Sequence, residues 1–161
     1  MQILLFCFVC SFLLSQEAVL RTFPDLEHML DKHFPIELFK NNKGENFSPD
    51  FLKGKTSLIN FWSTTCGPCI VKIPYLNKIS NQLLSSSNFI GITYDSKDKV
   101  DAFLKRKPFD FTQITDAGEA INSMFQIVRT PLTFIIDKDG DVKEITPVFE
   151  DDDSVVKLLK N

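Results

Sequence analysis

Of the 161 residues, four are cysteine, two are histidine and one is tryptophan. Two of the cysteines, Cys7 and Cys10, lie inside the apolar opening stretch, which leaves only Cys66 and Cys69 in the remainder of the chain. That is too few for a disulfide framework. A structural zinc site needs about four ligands, and beyond this one pair the sequence offers only His28 and His33, far upstream. We therefore expect no metal and no other cofactor. The net charge is −3 and no basic stripe occurs, which excludes an electrostatic nucleic-acid surface. Nor does the apolar opening reach the roughly 20 residues of a comfortable membrane span.

That opening, Met1 to Leu14, carries no charge. It reads as the apolar core of an export signal, with a cut after Ser15. No Lys or Arg precedes the run, and Leu13 is large for its place before the cut. A retained anchor through residues 1–15, or a lipid on Cys10, are the alternatives. Cys7 and Cys10 form a C-x-x-C, read here as small hydrophobes of the leader. The domain expectation is residues 1–15 as signal, 16–33 as a helical lead-in and 34–161 as one folded domain.

The centre of the chain is the stretch Ser57 to Cys69. Ser57 to Trp62 reads as a short buried strand, a polar turn follows, and a helical pattern runs on through Leu84. Cys66 and Cys69 are three apart, hence on one helix face, where they can reach each other and close a small ring. Unpaired N–H groups at a helix start favour an anion, so a thiol there ionises more readily. Pro68 suits a first turn, since its missing N–H costs nothing there. The pattern describes a nucleophile, Cys66, backed by a resolving partner, Cys69.

The remaining elements follow from periodicity and turn chemistry. Leu20, Phe23, Leu26, Met29 and Leu30 recur at helical spacing, predicting a helix over about 25–32 that carries His28 and His33 as solvated residues. Phe34 to Phe39 and Phe47 to Leu52 flank the turn cluster Asn41-Asn42-Lys43-Gly44 and predict a β-hairpin. Strands are expected at 89–94, 109–113, 132–137 and 142–148, and helices at 100–105, 118–125 and 155–160. Asp139-Gly140 is a hairpin turn signal. Asp151-Asp152-Asp153 suits the start of the last helix and needs no metal to explain it.

Phe61-Trp62 followed by Cys66-Gly67-Pro68-Cys69, with Pro74 in the helix beyond, resembles the active-site signature of the thioredoxin superfamily. Arg129-Thr130-Pro131-Leu132-Thr133-Phe134-Ile135-Ile136-Asp137 resembles its cis-proline strand. The piece between Tyr94 and Ile121 is similar to the central insert of the exported TlpA/ResA-like branch. The resemblance spans about 34–161. It implies an α/β thioredoxin fold, a central mixed β-sheet flanked by helices, with an N-terminal β-hairpin extension and a helix–strand insert.

It also implies roles for particular residues. Cys66 is the nucleophile, Cys69 the resolving thiol, and Cys66–Cys69 the redox disulfide. Pro131 is the cis-proline, which turns Thr130 toward the dithiol so that a substrate peptide can pair there as an extra strand. Trp62, Gly67, Pro68, Arg129 and Thr130 border the substrate; for Arg129 a solvated strand end is the competing reading, as core packing is for Trp62. The tryptophan usual before the first cysteine is Thr65 here. Asn60 replaces the buried aspartate of cytosolic relatives, and an amide cannot accept a proton in its place; Asp95 is the candidate base, with a helix cap as its alternative. Lys72 is read as solvated.

The function so implied is an exported, periplasmic or cell-envelope thiol–disulfide oxidoreductase. It acts as a monomer on cysteine-containing exported proteins, apocytochrome c among them, and takes electrons from a membrane-borne donor. A disulfide-donating oxidase, a thiol peroxidase and a non-catalytic peptide-binding module are the competing functions. The peroxidase lacks a proline at the needed distance before Thr64 and Thr65.

Overall fold

In the computed structural model, residues 23–147 and 152–160 are described. The expected signal and the Cys7–Cys10 pair lie outside them. At the centre runs β1 (Thr56–Phe61), all six of its residues buried. It is followed by α1 (Gly67–Leu83), β2 (Ser87–Ile92), α2 (Lys97–Leu104), β3 (Thr112–Ile114), α3 (Gly118–Met124), β4 (Leu132–Ile136), β5 (Val142–Thr146) and α4 (Asp152–Lys160). The sheet order is β3-β2-β1-β4-β5. β1 pairs parallel with β2 and antiparallel with β4, so the sheet is mixed.

Because side chains alternate across a strand, β1 feeds two cores. Ile59 and Phe61 join Phe34, Phe39, Phe125 and Phe134 on one face. Leu58 and Trp62 join α1, Phe103 of α2, Phe109, and Val155 and Leu159 of α4 on the other. Many of the sixteen phenylalanines are spent in these layers. Phe61 alone meets Phe125 and Phe134 edge-on at centroid distances of 5.1 and 5.7 Å, the arrangement that ring quadrupoles favour. Thr56 Oγ1 donates to the Leu159 carbonyl at 2.7 Å and so ties α4 to the first strand.

The N-terminal expectations need correction. The helix over 25–32 is a six-residue 3₁₀ segment, Pro24–Met29. Beyond it the chain turns through Asp31 and meets the first residue of β5 and the hairpin turn before it. Asp31 N–H donates to the Val142 carbonyl and Val142 N–H to the Lys32 carbonyl, each at 2.9 Å. Pairing with an exposed strand edge overrides the helical spacing, and it also covers the start of that edge.

The β-hairpin over 34–52 is likewise absent as strands. Its flanks are short 3₁₀ turns, Ile36–Leu38 and Pro49–Leu52, joined by one bridge between Lys40 and Asn46. Pro35 and Pro49 carry no N–H for a ladder. Phe34, Ile36, Phe39 and Leu52 are all buried, at a spacing no single strand face provides.

A candidate thiol–disulfide site at the start of the first helix

β1 delivers the site. Trp62 N–H still bonds the Ile92 carbonyl at 3.0 Å, and then the chain turns through Ser63-Thr64-Thr65 into α1. Cys66 is the N-cap of that helix, and its sulfur accepts the Cys69 N–H at 3.2 Å. A sulfur in that position receives one of the unpaired donors of the first turn, the arrangement that favours a thiolate. Cys66 and Cys69 are joined as a disulfide with Cα atoms 5.2 Å apart. Cys66 is half-buried, whereas Cys69 is only 3% exposed. One sulfur is open to a partner and the other lies beneath it.

A model of the Redoxin family matches residues 21–159. The chain belongs to the Redoxin family. The thiol-disulfide oxidoreductase ResA of Bacillus anthracis is 31% identical over 125 residues, covering 76% of this chain and 72% of that protein. In fold, a thiol:disulfide interchange protein from Bacteroides sp. superposes with a TM-score of 0.68 at 22% identity, over 82% of this chain and 91% of that one. A secreted Mycobacterium tuberculosis disulfide oxidoreductase does so with a TM-score of 0.61 at 18% identity, over 83% and 98%. With the cysteine pair and these relatives, this redoxin is a thiol–disulfide oxidoreductase of thioredoxin fold.

Other residues singled out in the sequence fall around the pair. The Thr130–Pro131 bond is cis, and Pro131 lines a small cavity together with Cys69. Thr130 is half-buried, and Gly67 and Pro68 are exposed at the helix tip. Asn60 donates to Thr133 Oγ1 across the β1–β4 pair at 2.9 Å and lines the same cavity.

Trp62 is not where a substrate contact would be. It is 1% exposed, packed against Phe103 and Phe109 at 5.4 and 5.3 Å, with its indole N–H donating to Gln113 Oε1 at 3.0 Å. The cause is strand alternation, which aims it to the same side as Leu58, beneath α2. Sequence spacing does not flag Gln113, though Gly91 in the middle of a β-branched strand is a usable signal. Gly91 pairs in register with Gln113, and a Cβ there would come within 2.7 Å of the Gln113 amide and 3.0 Å of the indole nitrogen.

Arg129 is also committed elsewhere. Its guanidinium pairs with Asp25 at 2.8 Å and lies 5.1 Å from the centre of the Phe23 ring. The hydrogen bond from Arg129 holds the Asp25 carboxyl below the usual carboxylate range. The pair ties the N-terminal segment to the loop before Pro131.

Asp95, the candidate base, sits on the loop after β2 with 3% of its side chain exposed. One carboxylate oxygen accepts the Thr64 N–H at 2.7 Å, and the other meets Lys99 Nζ at 2.5 Å. Both oxygens are engaged, one by the turn that precedes Cys66 and the other by Lys99. Burial pushes the Asp95 carboxyl up, but Lys99 and the Thr64 N–H together outweigh it and hold the group below its ordinary value. A carboxyl lowered on folding stabilises the fold above the ordinary range near pH 4, and that contribution is lost as pH falls through the lowered value. Asp95→Asn is therefore expected to flatten the loss of thermal stability between about pH 4 and pH 2, measured by acid-series melting. Asp95→Ala, which leaves the Thr64 N–H unpaired, is expected to cost about 1–3 kcal/mol at neutral pH.

Proposed function

We propose that this redoxin reduces disulfides of exported proteins outside the cytoplasm by two-cysteine exchange. The observation that carries this reading is the unequal placement of one sulfur pair, Cys66 half-buried at the helix cap and Cys69 buried below it. In the reduced protein, Cys66 attacks one sulfur of a client disulfide as thiolate. The client's other sulfur leaves as thiolate and takes a proton from solvent. Cys69 then loses its proton and attacks Cys66. The Cys66–Cys69 bond forms, the bond between Cys66 and the client breaks, and the client departs fully reduced.

Several features support the details. Gly67-Pro68 between the cysteines resembles the reducing members of the superfamily. Ile127 and Val128 are exposed apolar side chains just ahead of Thr130-Pro131; such a rim suits an extended, cysteine-bearing peptide laid along Thr130. Export is supported by the apolar Met1–Leu14 stretch and agrees with the secreted relative. Among the described residues no helix is long and apolar enough to cross a membrane. A reductase in an oxidising compartment needs electrons delivered to it, so a membrane-borne donor belongs to the reading. In this assignment Asp95 is a positioning residue, holding the Thr64 turn so that Cys66 caps α1.

The reduction potential of the pair tests the direction. Equilibration against glutathione or dithiothreitol buffers is expected to give a value near −270 mV, the thioredoxin end of the known range. A value near −120 mV would instead make the protein a disulfide donor.

A further inference from the structure

The loop ahead of the cis-proline is built with few fastenings. α3 gives out at Met124, Phe125 N–H bonds back to the Ile121 carbonyl, and β4 does not begin until Leu132. Of the residues between, Gln126, Ile127 and Val128 are exposed and Arg129, Thr130 and Pro131 half-buried, so none is anchored in a core. Among the described residues, one hydrogen-bonded contact fastens this segment, the 2.8 Å pair of Arg129 with Asp25. The two side chains are 26% and 32% exposed, a setting in which salt screens an ion pair less than on an open surface.

Asp25 itself stands on a fixed post. Its 3₁₀ segment starts with Pro24, whose ring sets φ, and is pinned by Leu26 and Met29 in the phenylalanine core. Phe23 packs partly against the same core, and its ring lies 5.1 Å from the guanidinium, within cation–π reach. Arg129 is thus gripped by a carboxylate and a ring from a segment 104 residues away in sequence. The next residue is Thr130, where the proposed client strand pairs. A loop already held in shape costs less entropy on binding than one that must be ordered on contact.

We propose that Asp25 and Arg129 are positioning residues for client binding. Through them the N-terminal segment holds the loop 126–131, and with it Thr130 and the Ile127–Val128 rim, ready for an extended peptide. The inference rests on the client-pairing reading above. The pair takes no part in the sulfur exchange, so its loss is felt in KM and not in kcat.

The test separates the loop from the dithiol. In the full chain, Asp25→Ala is expected to raise KM for an uncharged peptide disulfide by about fivefold with kcat unchanged. Asp25→Glu, which keeps a carboxylate for Arg129, stays near the parent. Reduction of hydroxyethyl disulfide, which has no peptide to pair with Thr130, is expected to be unaltered in both. An unchanged KM in the Asp25→Ala protein overturns the proposal. So does a lower KM, which freeing Arg129 for direct client contact would give. An equal loss on both substrates marks a merely structural role and overturns it too. A second measurement needs no client: ¹⁵N relaxation of the oxidised full chain. Backbone order parameters at Ile127 to Thr130 are expected to fall from about 0.85 in the parent to below about 0.6 in Asp25→Ala, while those of β1 and α1 hold. A loop already mobile in the parent, or unaltered in the variant, overturns the proposal. If the protein reduces the small disulfide but no peptide disulfide, the client reading fails, and relaxation still decides whether the pair positions the loop.

Discussion

Cys66→Ser is expected to abolish reduction of an insulin-type protein disulfide, by roughly 10³-fold or more, because among the described residues no other accessible thiol is poised at a helix start to replace it. Cys69→Ser is expected to behave differently. Its half-buried nucleophile survives, so the first exchange proceeds and stops at a mixed disulfide with the client, visible as a reductant-sensitive covalent adduct. Multiple turnover falls to the level set by outside thiols. The asymmetry follows from burial: Cys66 can be reached, and Cys69, 3% exposed, can be reached only by Cys66. Adducts of equal yield from the two variants would mean that either sulfur meets the client, and the assigned roles would fail. The adduct also gives a direct route to clients, since mass analysis of the trapped species identifies them.

Trp62→Ala is expected to lower stability by about 3–5 kcal/mol, the usual cost of emptying a large aromatic site in a core. The side chain is 1% exposed and fills the space between β1, Phe103 and Phe109. Trp62→Phe keeps much of the ring but leaves the Gln113 amide without its indole partner, with an expected cost of about 1–3 kcal/mol. Denaturant midpoints measure both. Among folded molecules, KM for protein disulfides should change little in Trp62→Phe. A large rise in KM with unchanged stability would restore the substrate-contact role that the motif suggests for this tryptophan.

The redox tip was legible because each of its requirements is local. A short buried strand, two cysteines one helical turn apart and a proline in the first turn are properties of adjacent residues, and α1 begins where they place it. The Arg129–Asp137 stretch was similarly plain, and its strand forms at Leu132–Ile136 beside β1. The N-terminal extension is less legible. Its residues 24–39 satisfy helix or strand spacing locally, yet Asp31 to Phe34 is held by bonds to Gly140 and Val142, more than a hundred residues on.

Side-chain partners show the same division. Asp95 stands out in the sequence as an acid near the site, but its commitment to Thr64 and Lys99 depends on where the β2 loop meets the turn after β1. Lys72 reads as solvated because helical position alone cannot show that Tyr75 and the cavity beside Cys69 hold it.

The amino-acid sequence by itself determined the cysteine pair and which of the two cysteines stands at the helix start, since these follow from short-range spacing and helix-end geometry, and the resemblance of its two motifs implied the fold family. Only the tertiary structure decided which neighbours those cysteines have: Trp62 withdrawn into the core, Arg129 tied to Asp25, Asp95 bound to the turn, and Lys72 at the cavity wall. Those outcomes depend on contacts between distant segments, where burial and pairing geometry, instead of local propensity, carry the larger free energy.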